Sequence, residues 1–296
     1  MRKKGLYIAS GIGITAITLY FLLEEKTLID ALRLWRLSGI KGIIPAFVLY
    51  IITYLLRAER WRVLLPQKIK GRELFNIVAV HTAFANILPA KLGELAFPAL
   101  LKRKGVGLIV SGSLLLLARG MDALCLLSLL ILIIYPSLGA ILISFQFGFT
   151  FWGFRTIERL FKAVLVVPKL KEVYSKGWER FGKEDLLRAL GLTYFIWVAK
   201  GAGIACLLAS SGRLNFFQAF KGSIGAECSF LIPLSGFLGL GNYELGWIIA
   251  SGSKLEEAFF AHSFLILSSI IIAIICSLTS LKTSSTDIED MHGRTP

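Results

Sequence analysis

From Leu6 to Leu281 one long apolar run follows another, and no polar stretch between them is large enough for a separate globular unit. A helix that spans a bilayer takes about 20 largely apolar residues. That pattern places the chain in a membrane and not in water. Composition agrees: 55% of the 296 residues are apolar and 18% charged, against roughly 45–50% and about 25% in a soluble domain. Disordered, collagen-like, disulfide-rich secreted and ordinary cytosolic-enzyme classes are excluded.

Six runs read as spans: Leu6 to Leu23, Ile43 to Leu56, Val106 to Ile134, the run after Pro136 to about Phe154, Leu186 to Ala209, and Ala258 to Leu281. The first follows Arg2-Lys3-Lys4 but lacks a small-residue cleavage site, so it reads as a retained anchor and not a signal peptide. Two further stretches are broken. Leu74 to Leu101 is interrupted by Asn86, Pro89, Lys91, Gly93 and Glu94; Leu214 to Ala250 by Pro233, Gly236, Gly239, Gly241 and Glu244. Proline removes a backbone donor and glycine loosens the backbone. Each stretch is too long for one helix and too broken for two spans, so the spacing predicts a re-entrant helical hairpin in each.

Charge tests this layout. Net charge is +14, from 33 Lys and Arg against 19 Asp and Glu. With the N-terminus cytoplasmic and both hairpins returning to the face they left, 23 basic residues fall on the cytoplasmic side and 7 outside. Arg57, Arg60, Arg62, Lys68, Lys70 and Arg72 count among the cytoplasmic ones. Lys91, Arg119 and Lys200 lie in apolar segments. That bias fits the positive-inside tendency, and a full span at the first broken stretch would destroy it. The basic excess therefore speaks for orientation and anionic lipid, not for nucleic acid.

The expected fold is all-α integral membrane, six transmembrane helices plus two re-entrant hairpins, with both termini cytoplasmic in the cell membrane. One transmembrane domain covers residues 1–281, with halves of about 1–135 and 136–281 that read as an inverted repeat. Paired interrupted segments at matching positions are the sign of such repeats in transporters, where they flank a midplane site. Within 155–185, apolar residues at helical spacing after Pro168 alternate with Lys and Arg, as in an amphipathic helix on the cytoplasmic leaflet or packed on the bundle. The tail, 282–296, is polar and expected to be disordered.

Ionisable residues at bilayer depth are costly and face a partner or a wet cavity. Arg119 and Asp122 stand three apart on one helix face, Lys200 lies in the fifth span, Lys91 and Glu94 in the first hairpin, and Glu227 and Glu244 in the second. Blander roles stay open: Arg119–Asp122 as a structural pair, Lys200 paired with Asp122 or Glu227, and Glu94 and Glu244 as caps on backbone amides. His81 and His262 each look alone on an apolar helix. The convergence of three cations and four carboxylates on these few segments points to one polar interior. Lys and Arg beside broken-helix amides suit a phosphate, and the surrounding apolar helices suit a lipid tail. Cys125, Cys206, Cys228 and Cys276 lack metal or disulfide spacing. No Walker loop, HExxH, GxSxG or Asp-rich pair is present, so neither metal nor cofactor is expected and the chain does not read as an enzyme.

Four motifs in order, RxxRW (Arg57, Arg60, Trp61), NxxPxxxGE (Asn86, Pro89, Gly93, Glu94), RxxD (Arg119, Asp122) and PxxG…GxG…E (Pro233 to Glu244), resemble the lysylphosphatidylglycerol synthase transmembrane-domain, or flippase-like, family across about Leu6 to Leu281. Members often carry an acidic residue just before the arginine of RxxD. Here it is Ala118, which leaves Asp122 as the local counter-charge. In aminoacyl-phosphatidylglycerol synthases this region is associated with moving the modified lipid between leaflets, while a soluble domain does the transfer. The resemblance thus implies a lipid flippase for a phosphate-bearing lipid, of phospholipid or polyprenyl-phosphate type. Arg119, Lys200 and Lys91, with Asn86, would hold the head group, and Glu94, Asp122, Glu227 and Glu244 would balance or gate it. Pro89, Gly93, Pro233, Gly236, Gly239 and Gly241 would act as hinges. The expected partner is an anionic membrane lipid, and a homo-oligomer stays open. The alternative is a scaffold docking a cytoplasmic glycosyltransferase or aminoacyltransferase.

Overall fold

The computed structural model describes residues 25–153, 182–229 and 236–292, with isolated positions 13, 15, 16, 20, 156 and 159. Among these residues all regular structure is helical. In chain order the helices are α1 (Glu25–Leu64), α2 (Gly71–Ile87), α3 (Ala96–Lys102), α4 (Leu108–Ile134), α5 (Pro136–Trp152), α6 (Lys183–Ser210), α7 (Phe216–Ser229), α8 (Asn242–Ser251) and α9 (Leu255–His292). A 3-10 turn, Pro89–Leu95, joins α2 to α3, and a second, Phe237–Gly239, precedes α8. Four stretches are long and apolar enough to cross a membrane: Thr27–Leu64, Leu108–Ile134, Lys183–Ser210 and Leu255–Thr279.

Four of the six expected spans thus have such a helix. The run at Leu6 to Leu23 falls almost wholly outside the described residues. The fourth run forms α5, 17 residues long; at 1.5 Å per residue it reaches only about 25 Å, short of a hydrocarbon core of about 30 Å. At its start α5 turns back tightly against α4 across the Tyr135–Pro136 corner, where a Cβ on Gly139 would collide with the backbone of Leu132. At the other end of the chain α9 runs from Leu255 to His292. The amphipathic segment expected at 155–185 lies mostly outside the described residues, as does Pro233. At its end, Asp185 accepts a 2.9 Å bond from the Gly182 N–H and opens α6.

The second expected span is far longer than its apolar run. α1 bends at Gly39, whose φ of 53° suits glycine and few other residues. The bend is tied to the end of α6, where the Ser38 hydroxyl donates to the Leu207 carbonyl at 3.0 Å and Ser210 donates back to Ser38 at 3.3 Å. Beyond the bend, α1 lies along α6 through small residues, Gly203 seating on Ala46, which lets the backbones approach. Helical periodicity then carries one buried face past the end of the apolar run: Thr53, Tyr54, Arg60, Trp61 and Leu64 are all buried. The basic cluster at Arg57–Arg62 is therefore not a loop. Arg60 is interior and Arg57 half-buried, and only Arg62 stands well out, beside Glu59.

Both broken stretches fold as two helical arms about an irregular turn. In the first, Gly93 sits so close to α2 that a Cβ would strike the Phe84 carbonyl. In the second, Gly225 of α7 and Gly246 of α8 face each other with no room for a larger side chain. The two 3-10 turns touch each other. Segments remote in sequence thus meet at their interruptions, and α1, α4, α6 and α9 pack around them.

Candidate functional site

Where the interruptions meet, the helices enclose a cavity of about 560 Å³, within the roughly 300–1,000 Å³ of small-molecule sites. Asn86, Glu94, Arg119, Asp122, Lys200 and Glu227 all line it. Glu244 stands one step behind the wall, joined to His262, which does line it. Of the expected hinge residues, Gly239 is on the wall, while Pro89, Gly93, Gly236 and Gly241 shape the turns around it. The Lys91 side chain falls outside the described residues. Arg119 and Lys200, on different helices, share one enclosure.

The first charged cluster bridges α1, α4 and the first interruption. Asp122 accepts from the Arg60 guanidinium at 2.6 Å and from the Trp197 indole at 3.0 Å on one oxygen, and from Arg119 at 3.0 Å on the other. Arg60 also donates to the Thr193 hydroxyl at 3.0 Å. Arg119 reaches onward to Glu94, whose second oxygen lies 3.5 Å from His81 Nε2. The chain Arg60–Asp122–Arg119–Glu94–His81 thus alternates sign until it ends on an imidazole. Sequence reasoning found the Arg119–Asp122 pair from its i, i+3 spacing. It missed Arg60, assigned to a solvent-side patch; the buried 3–4 spacing of Thr53, Arg57, Arg60 and Leu64 was the available signal.

The second cluster lies on α6, α7, α8 and α9. Lys200 pairs with Glu227 at 2.6 Å, one of the two partners expected for it. Glu244 spends one oxygen on the Gly241 N–H at 2.8 Å, the capping role left open for it. Gly241 has φ 91°, so the turn that presents this amide suits glycine. The other oxygen meets His262 Nδ1 at 2.6 Å, and that ring stacks on Tyr243 at 4.3 Å. Neither histidine is alone. Each interruption carries a glutamate, and each glutamate faces one histidine.

Buried charges are costly unless paired, and Arg60, Arg119, Asp122, Lys200 and Glu227 each have an opposite charge within ion-pair distance. Arg57 and Lys200 both lie over the Trp197 ring, at 5.5 and 5.4 Å, a favourable placement for a cation. The rim is apolar: Leu116, 72% exposed, and Leu88 line the cavity while facing outward. Arg119 is three residues from Leu116 on α4, and its side chain is 38% exposed. A charged wall behind an apolar mouth can receive a polar head while leaving a hydrocarbon tail outside. Among the described residues no three His, Cys, Asp or Glu side chains converge as a metal site requires.

The family model for the lysylphosphatidylglycerol synthase TM region matches residues 8–220. The match covers well over half of the chain, from the first apolar run into α7. This chain belongs to that family. Neither a curated protein nor a solved structure matches it. In this family member the matched part supplies Arg57, Arg60, Asn86, Glu94, Arg119, Asp122 and Lys200, while Glu227, Glu244 and His262 lie beyond the match. The membership and the four apolar helices together give a membrane protein with a lipid-related role.

Proposed function

We propose that this protein is a lipid translocase that moves a phosphate-bearing lipid between leaflets without chemical change. The observation that carries this reading is the charged cavity behind an apolar mouth, built from both interruptions and lined by Arg119 and Lys200. An ionic head group in hydrocarbon costs at least several kcal/mol, and a polar wall at depth lowers that barrier. Arg119 and Lys200 offer donors to the phosphate. Glu94, Asp122 and Glu227 hold those cations when no lipid is present and release them when one arrives. The architecture we infer is six spans with two re-entrant hairpins in an inverted repeat, both termini on the cytoplasmic side of the cell membrane, and movement by rocking of one half against the other.

The test is leaflet-resolved lipid movement in vesicles holding the purified chain alone, which also separates this reading from a scaffold role. Arg119→Ala and Lys200→Ala each remove a charge-assisted donor, which corresponds to a slowing of about tenfold or more. Normal rates in both variants would sink the assignment.

A further inference from the structure

Glu244 and His262 take no part in the proposed hold on a head group, yet they form a buried acid–base pair. They are 2% and 3% exposed, with Glu244 Oε1 2.6 Å from His262 Nδ1. His262 lines the cavity and Glu244 stands behind it.

The two Glu–His pairs of the interruptions differ in what else meets the carboxylate. Glu94 lies 3.5 Å from His81 but is also held by Arg119, a permanent cation. Among the described residues no lysine or arginine lies within ion-pair distance of Glu244. Its other oxygen takes the Gly241 amide at the start of α8. A helix start offsets at most about 2 kcal/mol, less than the several kcal/mol that burying an ion costs. The pair is therefore neutral only when it holds one proton, on the ring or on the carboxyl group. Tyr243, stacked on His262 at 4.3 Å, offers the charged ring an aromatic face.

Other groups around the pair leave it this role. α9 packs against α1, α2, α6 and α8. Those helices bring Tyr50, Arg57, His81, Lys200 and Tyr243 to this region, and Glu94, Arg119, Asp122 and Glu227 stand across the cavity. On α9 itself Glu257 caps the Lys254 N–H at 3.0 Å. Lys200 is paired with Glu227, and Arg119 with Glu94 and Asp122. Imidazole is the side chain that ordinarily changes charge near neutral pH, and of the two in the wall only His262 has a carboxylate with no other counter-charge.

We propose that Glu244 and His262 bind one exchangeable proton, reached from the cavity through the His262 ring, and that this proton and an anion in the cavity bind together. The proton comes from water in the cavity when the anion enters and returns to water when it leaves. Such coupling is reciprocal: the proton favours the anion as much as the anion favours the proton. A translocase built this way carries a proton with each lipid and is driven by a pH difference across the membrane. The coupling rests on the cavity being a head-group site; the proton site itself does not.

The test uses the full chain. The sequence has three histidines, so histidine-selective nitrogen NMR, assigned through His262→Gln, follows this ring directly. It should show a protonation step at His262 between about pH 5 and about pH 9, which Glu244→Gln shifts by about one pH unit or more. No step at His262, or one that Glu244→Gln leaves in place, overturns the site. The lipid probe is phosphatidylglycerol, whose single charge is constant near neutral pH. It should bind about tenfold more tightly at about pH 6 than at about pH 8, and a pH dye in weak buffer should record proton uptake as it binds. Glu244→Gln and His262→Gln should each lose both effects, whereas Glu73→Gln, in an exposed pair with Lys104, should keep them. Binding without proton uptake, or no binding, overturns the coupling and leaves NMR to decide the site. If proton and lipid bind together but a leaflet-resolved vesicle assay shows no movement, translocation fails and the proton site stands.

Discussion

At the scale of single residues, the decisive feature is that one interior carboxylate, Asp122, takes donors from three helices. Asp122 takes Arg60, Arg119 and Trp197, so neutralising it strands two guanidinium groups. Asp122→Asn is expected to cost about 3–5 kcal/mol of stability, the usual penalty for breaking a buried pair from one side. Thermal unfolding in detergent reads that loss. Glu59, which meets Arg62 and Arg188 at the partly exposed end of α1, gives the contrast: Glu59→Gln should cost under about 1 kcal/mol. Lys200 and Glu227 form a closed couple, so Lys200→Met with Glu227→Met should recover much of the stability either loses alone. Of these contacts only Arg119–Asp122 could be read from sequence, because both partners share one helix turn. Lys200–Glu227 was one of two options, and Arg60 was misread because an arginine after an apolar run looks the same whether the helix stops or continues.

At the scale of elements, the fold is governed by where helices break and how closely their glycines let them pack. Gly93 lies under the Phe84 carbonyl, so Gly93→Ala must shift backbone and not merely a side chain. It is expected to destabilise by about 1–3 kcal/mol and to weaken head-group binding with it. Gly112, inside α4, has open space where its Cβ would go; Gly112→Ala should be neutral or stabilising by up to about 1 kcal/mol, since alanine is the better helix former. Melting temperatures of the two variants would separate close packing from helix propensity. Both breaks were legible in Pro89–Gly93–Glu94 and in the glycine-rich run ending at Glu244, because proline and glycine act locally. The turn at Pro136 was legible for the same reason, but the close seating of Gly139 on Leu132 across that corner was not, since it depends on how α5 packs on α4.

At the scale of the whole molecule, the proposed orientation rests on the distribution of basic residues. Arg57 and Arg60 are buried or half-buried, so they drop out of the expected cytoplasmic count without reversing the bias. A cysteine placed at Arg103 is expected to label only from the cytoplasmic side; labelling from outside would end the two-hairpin topology. The sequence by itself determined that this chain lives in a membrane, that it is helical, and that two of its apolar stretches break, because hydropathy over about 20 residues and the backbone limits of proline and glycine are local properties. Tertiary structure alone decided which charges meet across helices. Arg60 finds Asp122 across 62 residues and Thr193 across 133, and pairings over such separations depend on helix packing that no local pattern encodes. That packing also leaves Arg57 over the Trp197 ring with no carboxylate among the described residues within ion-pair distance.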